Sequence, residues 1–176
     1  MPDRLGAASR ATLDRLIDSA RVAGLPRGPL YDKVSEGLLK GADDERIVRA
    51  VQSLARELGD ARSALGTEAP VAVLSAGASA IHAGVPSADL RRIAHPAGAT
   101  ADPAMVTTAL VTLVDLVVKR VPVALATSSI QSLMIRHATE KEFSDLRSGV
   151  EQDILAGRAP DASVAARLKL QGASPP

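Results

Sequence analysis

The sequence contains no cysteine and no tryptophan, and its only large aromatic residues are Tyr31 and Phe143. Without cysteine the chain has no disulfides, no thiolate metal ligands and no Cys nucleophile, and it is compatible with either redox compartment. Two aromatics cannot build a stacking platform for single-stranded nucleic acid. Charge of one sign is scarce as well. The 21 Lys and Arg against 20 Asp and Glu leave a net charge of +1, too weak a field to hold phosphate backbones or anionic lipid without sequence preference. No nucleic-acid partner is expected. Long apolar runs are also missing. The longest, Ala104 to Val118, is interrupted by Thr107, Thr108, Thr112 and Asp115, and it falls short of the roughly 20 residues that a membrane span needs. No integral membrane segment is expected. The opening Met1-Pro2-Asp3-Arg4-Leu5-Gly6 lacks the charged-then-apolar pattern of a signal peptide. A mature exported chain behind a start Met and a cytoplasmic chain both fit, so localisation stays open.

What is present points to helix. Ala and Leu are the two commonest residues, a pair that favours helix over strand, and 176 residues suit one domain that buries a sizeable core. Glycine and proline act as punctuation. Gly24, Gly41, Gly66, Gly84, Gly98 and Gly157 each follow an apolar-periodic run, where Gly can take the left-handed conformation that closes a helix. Within a few positions a proline or capping residue reappears: Pro26, Asp43, Thr67, Pro86, Asp102-Pro103, Pro122, Thr139 and Pro160-Asp161.

The periodicity between these marks is helical. From Asp43 onward Ile47, Val51, Leu54, Leu58, Ala61 and Leu65 fall three or four apart on one face, with Glu45 and Arg49 four apart on another. Thr139-Glu140-Lys141-Glu142 reads as a capping box, followed by the apolar stripe Phe143, Leu146, Val150 and Ile154. About nine helices are predicted, near 8–23, 26–40, 43–65, 68–82, 86–95, 102–119, 122–136, 139–156 and 160–170. The segment 104–118 is apolar almost all round, so it is expected to be central and covered on every side. The domain reading is a flexible N-terminus over 1–7, one α-helical domain over 8–170, and a disordered tail over 171–176.

Weak self-similarity links the helix entries. Ala83-Gly84-Val85-Pro86, Lys119-Arg120-Val121-Pro122 and Ala156-Gly157-Arg158-Ala159-Pro160 open units spaced by roughly 36 to 38 residues, the length of a two-helix repeat. Ala23-Gly24-Leu25-Pro26 opens an earlier copy, whose register is lost through the long third helix. The expected architecture is a divergent α-solenoid-like array, with an irregular α-helical bundle as the alternative. The Gly-[Leu/Val]-Pro entries, together with Ser35-Glu36-Gly37-Leu38-Leu39-Lys40-Gly41-Ala42 and Glu45-Arg46-Ile47-Val48, resemble a group of uncharacterised α-helical-repeat proteins of high-GC bacteria. The resemblance runs from about Ala20 to Leu170. It implies a fold, its members are often predicted to be exported, and it brings no catalytic residue. The tetratricopeptide and ankyrin signatures do not match.

No chemical constellation stands out. His82, His95 and His137 lie at or near predicted helix C-termini, where the helix dipole favours a partly cationic imidazole. None has the i, i+4 spacing of a helical metal motif, and no metal or cofactor is expected. Thr127-Ser128-Ser129 and Ser132 lack the Gly-x-Ser-x-Gly frame of a nucleophile, and Ser79 and His82 merely stand three apart on one helix. Gly24-Leu25-Pro26-Arg27-Gly28-Pro29 has too few backbone N–H groups to cradle phosphate. No catalytic residue is assigned. Asp89-Leu90-Arg91-Arg92-Ile93-Ala94-His95 is the remaining polar feature. Its Arg91, Arg92 and His95 are candidates for gripping a partner's carboxylates, although a solvated helix face is the favoured explanation of them.

These residues point to a non-enzymatic helical-repeat protein that acts as a protein-interaction or structural module, toward a protein partner or its own copy. An alternative is a carrier of an apolar small molecule between the helices near 102–119 and 122–136, lined by Met105 and Met134. A second alternative is an enzyme whose His and carboxylate groups are assembled only by the fold.

Overall fold

The structure, a computed structural model, describes residues 5–172. Among them the chain is all-α, with α1 (Ala7–Val22), α2 (Gly28–Leu39), α3 (Asp44–Leu65), α4 (Val71–His82), α5 (Ser87–Ala94), a 3-10 turn at Pro96–Gly98, α6 (Pro103–Val118), α7 (Val123–Ile135), α8 (Glu140–Leu155) and α9 (Pro160–Gly172). Each predicted helix is present, displaced by at most a few residues at its ends. Asp43 caps α3 by accepting the Arg46 N–H at 2.8 Å, and Asp102 caps α6 by accepting those of Ala104 and Met105. The capping box at α8 is complete. Thr139 Oγ1 accepts the Glu142 N–H, and a Glu142 carboxylate oxygen accepts the Thr139 N–H at 2.7 Å.

Six of the connections use one device. The residue three past the helix end donates its N–H to a carbonyl five positions back, and the residue before it donates three positions back. This pairing occurs at Leu25 and Gly24, Ala42 and Gly41, Val85 and Gly84, Val121 and Arg120, Ala138 and His137, and Arg158 and Gly157. It is the Schellman closure, in which a residue at positive φ turns the chain back on the last helical carbonyls. Gly supplies that residue four times. Arg120 (φ 69°) and His137 (φ 55°) adopt it despite carrying a Cβ. In five of the six, the first residue beyond the pair caps or opens the next helix, as Asp43 and Thr139 do.

The chain divides into two compact units whose boundary falls inside α4, between Ala78 and Ser79. In the first, α1 and α2 both pack on α3. Leu13, Ile17, Leu30, Val34, Ile47, Val51 and Leu58 form its core, together with Leu74 and Ala78 of α4. The stripe read from the sequence of α3 is the buried one, with Leu54 half-buried at its edge. Gly37 permits the close approach of α2 to α3, since a Cβ there would stand 2.7 Å from Ile47 Cγ1. Of the segment 1–7, expected to be flexible, residues 1–4 lie outside the described residues. Leu5 is buried in this core, and the Gly6 N–H donates to Asp44 Oδ2 at 2.9 Å.

In the second unit α6 packs on α5, α7 and α8, and α9 packs on α8 and α7. Leu90, Ile93, Leu110, Leu113, Leu116, Ile130, Leu133, Phe143, Leu146, Val150 and Val164 are buried. Of the tail expected over 171–176, Gln171 and Gly172 close α9 and residues 173–176 lie outside the described residues.

Candidate functional site

The polar candidates on α5 are only partly free. Arg92 pairs through Nη1 with Asp89 one turn earlier, so its charge is already answered within the helix. Arg91 is exposed in the last turn, and His95 is the C-cap, half-buried, with Nδ1 3.4 Å from Thr100 Oγ1. The three residues share one helix end of eight residues. They offer one unengaged guanidinium rather than a paired grip.

Two hydroxyls of the α7 cluster turn back onto their own helix. Ser128 and Ser129 both donate to the Leu125 carbonyl, at 3.0 and 2.7 Å, and Thr127 and Ser129 are buried. His82, His95 and His137 occupy the last residue of α4, the C-cap of α5 and the positive-φ residue after α7. Among the described residues no three His, Asp or Glu side chains converge on a position that could hold a metal ion.

Ion pairs knit the second unit from helix to helix. Asp115 on α6 meets Arg147 on α8 at 3.0 Å, and one turn on Lys119, just past α6, meets Glu151 at 3.4 Å. Asp153 receives Arg167 of α9 in a two-pronged contact, Nε at 3.0 Å and Nη2 at 2.8 Å, and Arg158 approaches it at 3.6 Å. The Arg167 hydrogen bonds hold the Asp153 carboxyl below its usual range. A carboxylate so lowered adds stability above the ordinary carboxylate range, and that stability is lost as pH falls through the lowered pKa. Arg167 lies flat over Gly149, where a Cβ would stand 2.9 Å from its guanidinium.

Beside this lattice of charge α6 presents an unusual solvent face. The expectation that α6 is covered on every side is not met. Val111 is 41% exposed and Val118 71%, and Ala104 is exposed at the other end. With half-buried Thr107 and Val114 between them, these residues recur at the three-and-four spacing of a coiled-coil seam. The stripe runs about 20 Å along the helix. Asp115 is the one charged residue in α6, and it is engaged by Arg147. Apolarity all round a helix signals burial only where enough neighbours exist to cover it, and α5, α7 and α8 leave this side open.

In the first unit, a groove of about 570 Å³ lies along α1 and α3. Leu16 and Ala20 of α1, its C-cap Ala23, Leu25 of the following corner and Ala55 of α3 form its apolar wall, and Arg56 and Gln52 stand at its exposed edge. The small-molecule alternative placed its cavity between α6 and α7 instead. There those helices pack on each other, with Met134 buried and Met105 half-buried. Ala23 and Leu25 entered the sequence reading only as helix punctuation, and no residue of the groove was assigned a binding role there. The trace it leaves there is the set of small residues Ser19, Ala20, Ala23 and Ala55, a pattern that reads equally well as close packing.

No family model matches the chain, and neither a curated protein nor a solved structure is similar to it. The resemblance to helical-repeat proteins of high-GC bacteria gains no support from these comparisons.

Proposed function

We propose that this chain is a non-enzymatic interaction module whose docking face is the open side of α6, and that it receives an apolar helix face of a partner protein. The observation that carries this reading is the charge-poor stripe Ala104, Thr107, Val111, Val114 and Val118, left open in a helix of sixteen residues. A solvent face of that length ordinarily carries charged residues, and contiguous apolar surface on a folded chain marks interaction sites. The ion pairs to Arg147 and Glu151 form a polar rim on one flank, the arrangement in which charge sits beside a docking surface rather than within it. The stripe is small for a stable dimer of this chain on its own, which favours a partner that contributes more surface. The helical-repeat architecture read from the sequence belongs to the same proposal. Recurrence of the same corner six times supports it, because stacked helix pairs expose extended binding faces.

A photo-crosslinking residue at Val111 tests the reading inside cells of the source organism. The expected result is one discrete adduct from position 111, lost when Val118→Glu is added, and no adduct from the same residue placed at Leu39, an apolar and still more exposed position in the first unit. A smear of adducts, or equal labelling at both positions, would overturn it.

A further inference from the structure

We propose that the groove between α1 and α3 binds a single-chain amphiphile with an anionic head, an aliphatic carboxylate being the simplest case. This site is independent of the α6 face. A row of small side chains would amount only to packing, but three further features point to an occupant. The first is volume: about 570 Å³ lies within the range of small-molecule sites. The second is chemistry of the wall. Leu16, Ala20, Ala23, Leu25 and Ala55 present an apolar channel, and among the described residues no carboxylate lines it. The channel follows α1 for about 10 Å from Leu16 to Ala23, enough for a medium-length chain.

The third feature is unanswered positive charge at one side. Arg56 is exposed on the groove and takes part in no ion pair among the described residues. Arg62, further along α3, lays its guanidinium against Gly24, between the wall residues Ala23 and Leu25. An atom at the Gly24 Cβ position would stand 3.1 Å from Nη2. The Arg62 Nε is buried and has no hydrogen-bond partner. Elsewhere in this unit Arg21, Arg46 and Arg49 each form an ion pair with a carboxylate one turn away, whereas Arg15 and Arg27, away from the groove, form none among the described residues. Two guanidinium groups without one, beside an apolar channel, select a ligand that carries its own carboxylate, since that pairing is charge-assisted and geometrically matched. The tail lies over Ala20 and Ala55 and the head meets Arg56, with Arg62 adding to the local field.

Decanoate, decyl maltoside and decyltrimethylammonium share a tail and differ in head charge, so titrating each into the full chain tests the assignment by calorimetry and amide chemical shifts. Decanoate is expected to saturate at one per chain, with shifts gathered at Leu16, Ala23, Leu25 and Ala55, and to bind at least tenfold more tightly than the other two. Arg56→Glu, on a solvent-facing side chain without a partner, is expected to weaken decanoate at least tenfold while melting as the wild type does. Ala55→Trp is expected to abolish binding by filling the channel. Equal binding of the three amphiphiles, shifts centred on α6, an unaltered affinity in Arg56→Glu, or no saturable decanoate binding would each overturn the proposal. Failure here leaves the α6 reading standing, because the two sites share no residue.

Discussion

The helices around Leu58 and those around Leu113 solve the same packing problem with different use of charge and backbone. In the first unit, ion pairs such as Arg21–Asp18, Lys33–Glu36, Lys40–Glu36 and Arg49–Glu45 lie within a single helix. Glu36, held between Lys33 and Lys40, is lowered to about 2, yet the contact ties no helix to another. In the second unit Asp115–Arg147, Lys119–Glu151 and Arg167–Asp153 cross from one element to the next. The corners differ in the same sense. The first unit turns at Gly24, Gly41 and Gly66, whereas the second includes Ala97, Arg120 and His137 at positive φ. The first is thus held between helices mainly by apolar burial over relaxed turns. The second fixes the placement of its helices with directional contacts and tolerates backbone strain at its corners.

The strongest way to break the comparison is a charge in each core. Leu58→Asp and Leu113→Asp place an unpaired carboxylate at fully buried positions, and each is expected to cost more than about 4 kcal/mol and remove the cooperative melt. A Leu113→Asp protein melting like the wild type by circular dichroism would show that α6 is not the centre of its unit.

A finer separation comes from the two close-approach glycines. Gly149→Ala gains about 1 kcal/mol of helix propensity, but it displaces Arg167 from Asp153, so a net loss of about 1–2 kcal/mol is expected from the overpacking. In an Arg167→Ala background the same substitution is expected to become stabilising, because the obstacle was a surface cation. Gly37→Ala in the first unit meets the buried Ile47 instead. A loss of about 2 kcal/mol is expected there, and no charge removal reverses it. Urea unfolding of the single and double variants reads both signs.

The smallest effect concerns the corners. His137→Gly relieves a left-handed residue and is expected to stabilise by about 1 kcal/mol, while Gly24→Ala is expected to destabilise by at least that much, since it meets both the positive φ and the Arg62 guanidinium. Thermal melts in which both changes move in one direction would show that the corners do not differ as described.

The helices were legible because their ends are written locally: Asp43, Asp102 and the Thr139–Glu142 box act within four residues, and a glycine after an apolar run needs no tertiary partner to declare itself. The positive-φ roles of Arg120 and His137 were not legible, because neither residue type announces that conformation. The Arg167–Asp153 clamp joins residues fourteen apart on two helices, and the Arg147–Asp115 pair spans thirty-two. Those pairings depend on how the helices come together. The close approaches at mid-helix Gly37 and Gly149 were not read from the sequence, because a glycine within a helix does not say which neighbour comes near. The open face of α6 was misread for a related reason. Apolar composition specifies what a helix can bury, and only the arrangement of its neighbours determines what it does bury. The α1–α3 groove is likewise a product of tertiary spacing between small residues.

The six Schellman corners have a consequence for how this chain can change over time. Where the residue after the turn already caps or opens the next helix, as at Ala42–Asp43 and Ala138–Thr139, the connection contains no spare residue. An inserted or deleted amino acid there must either break the closure or shift the register of a whole helix. The longer connections, over 66–70 and 95–102, have residues to give. Length variation, engineered tags and tolerated insertions should therefore concentrate in those two segments, leaving the corners as fixed points about which the sequence is free to drift.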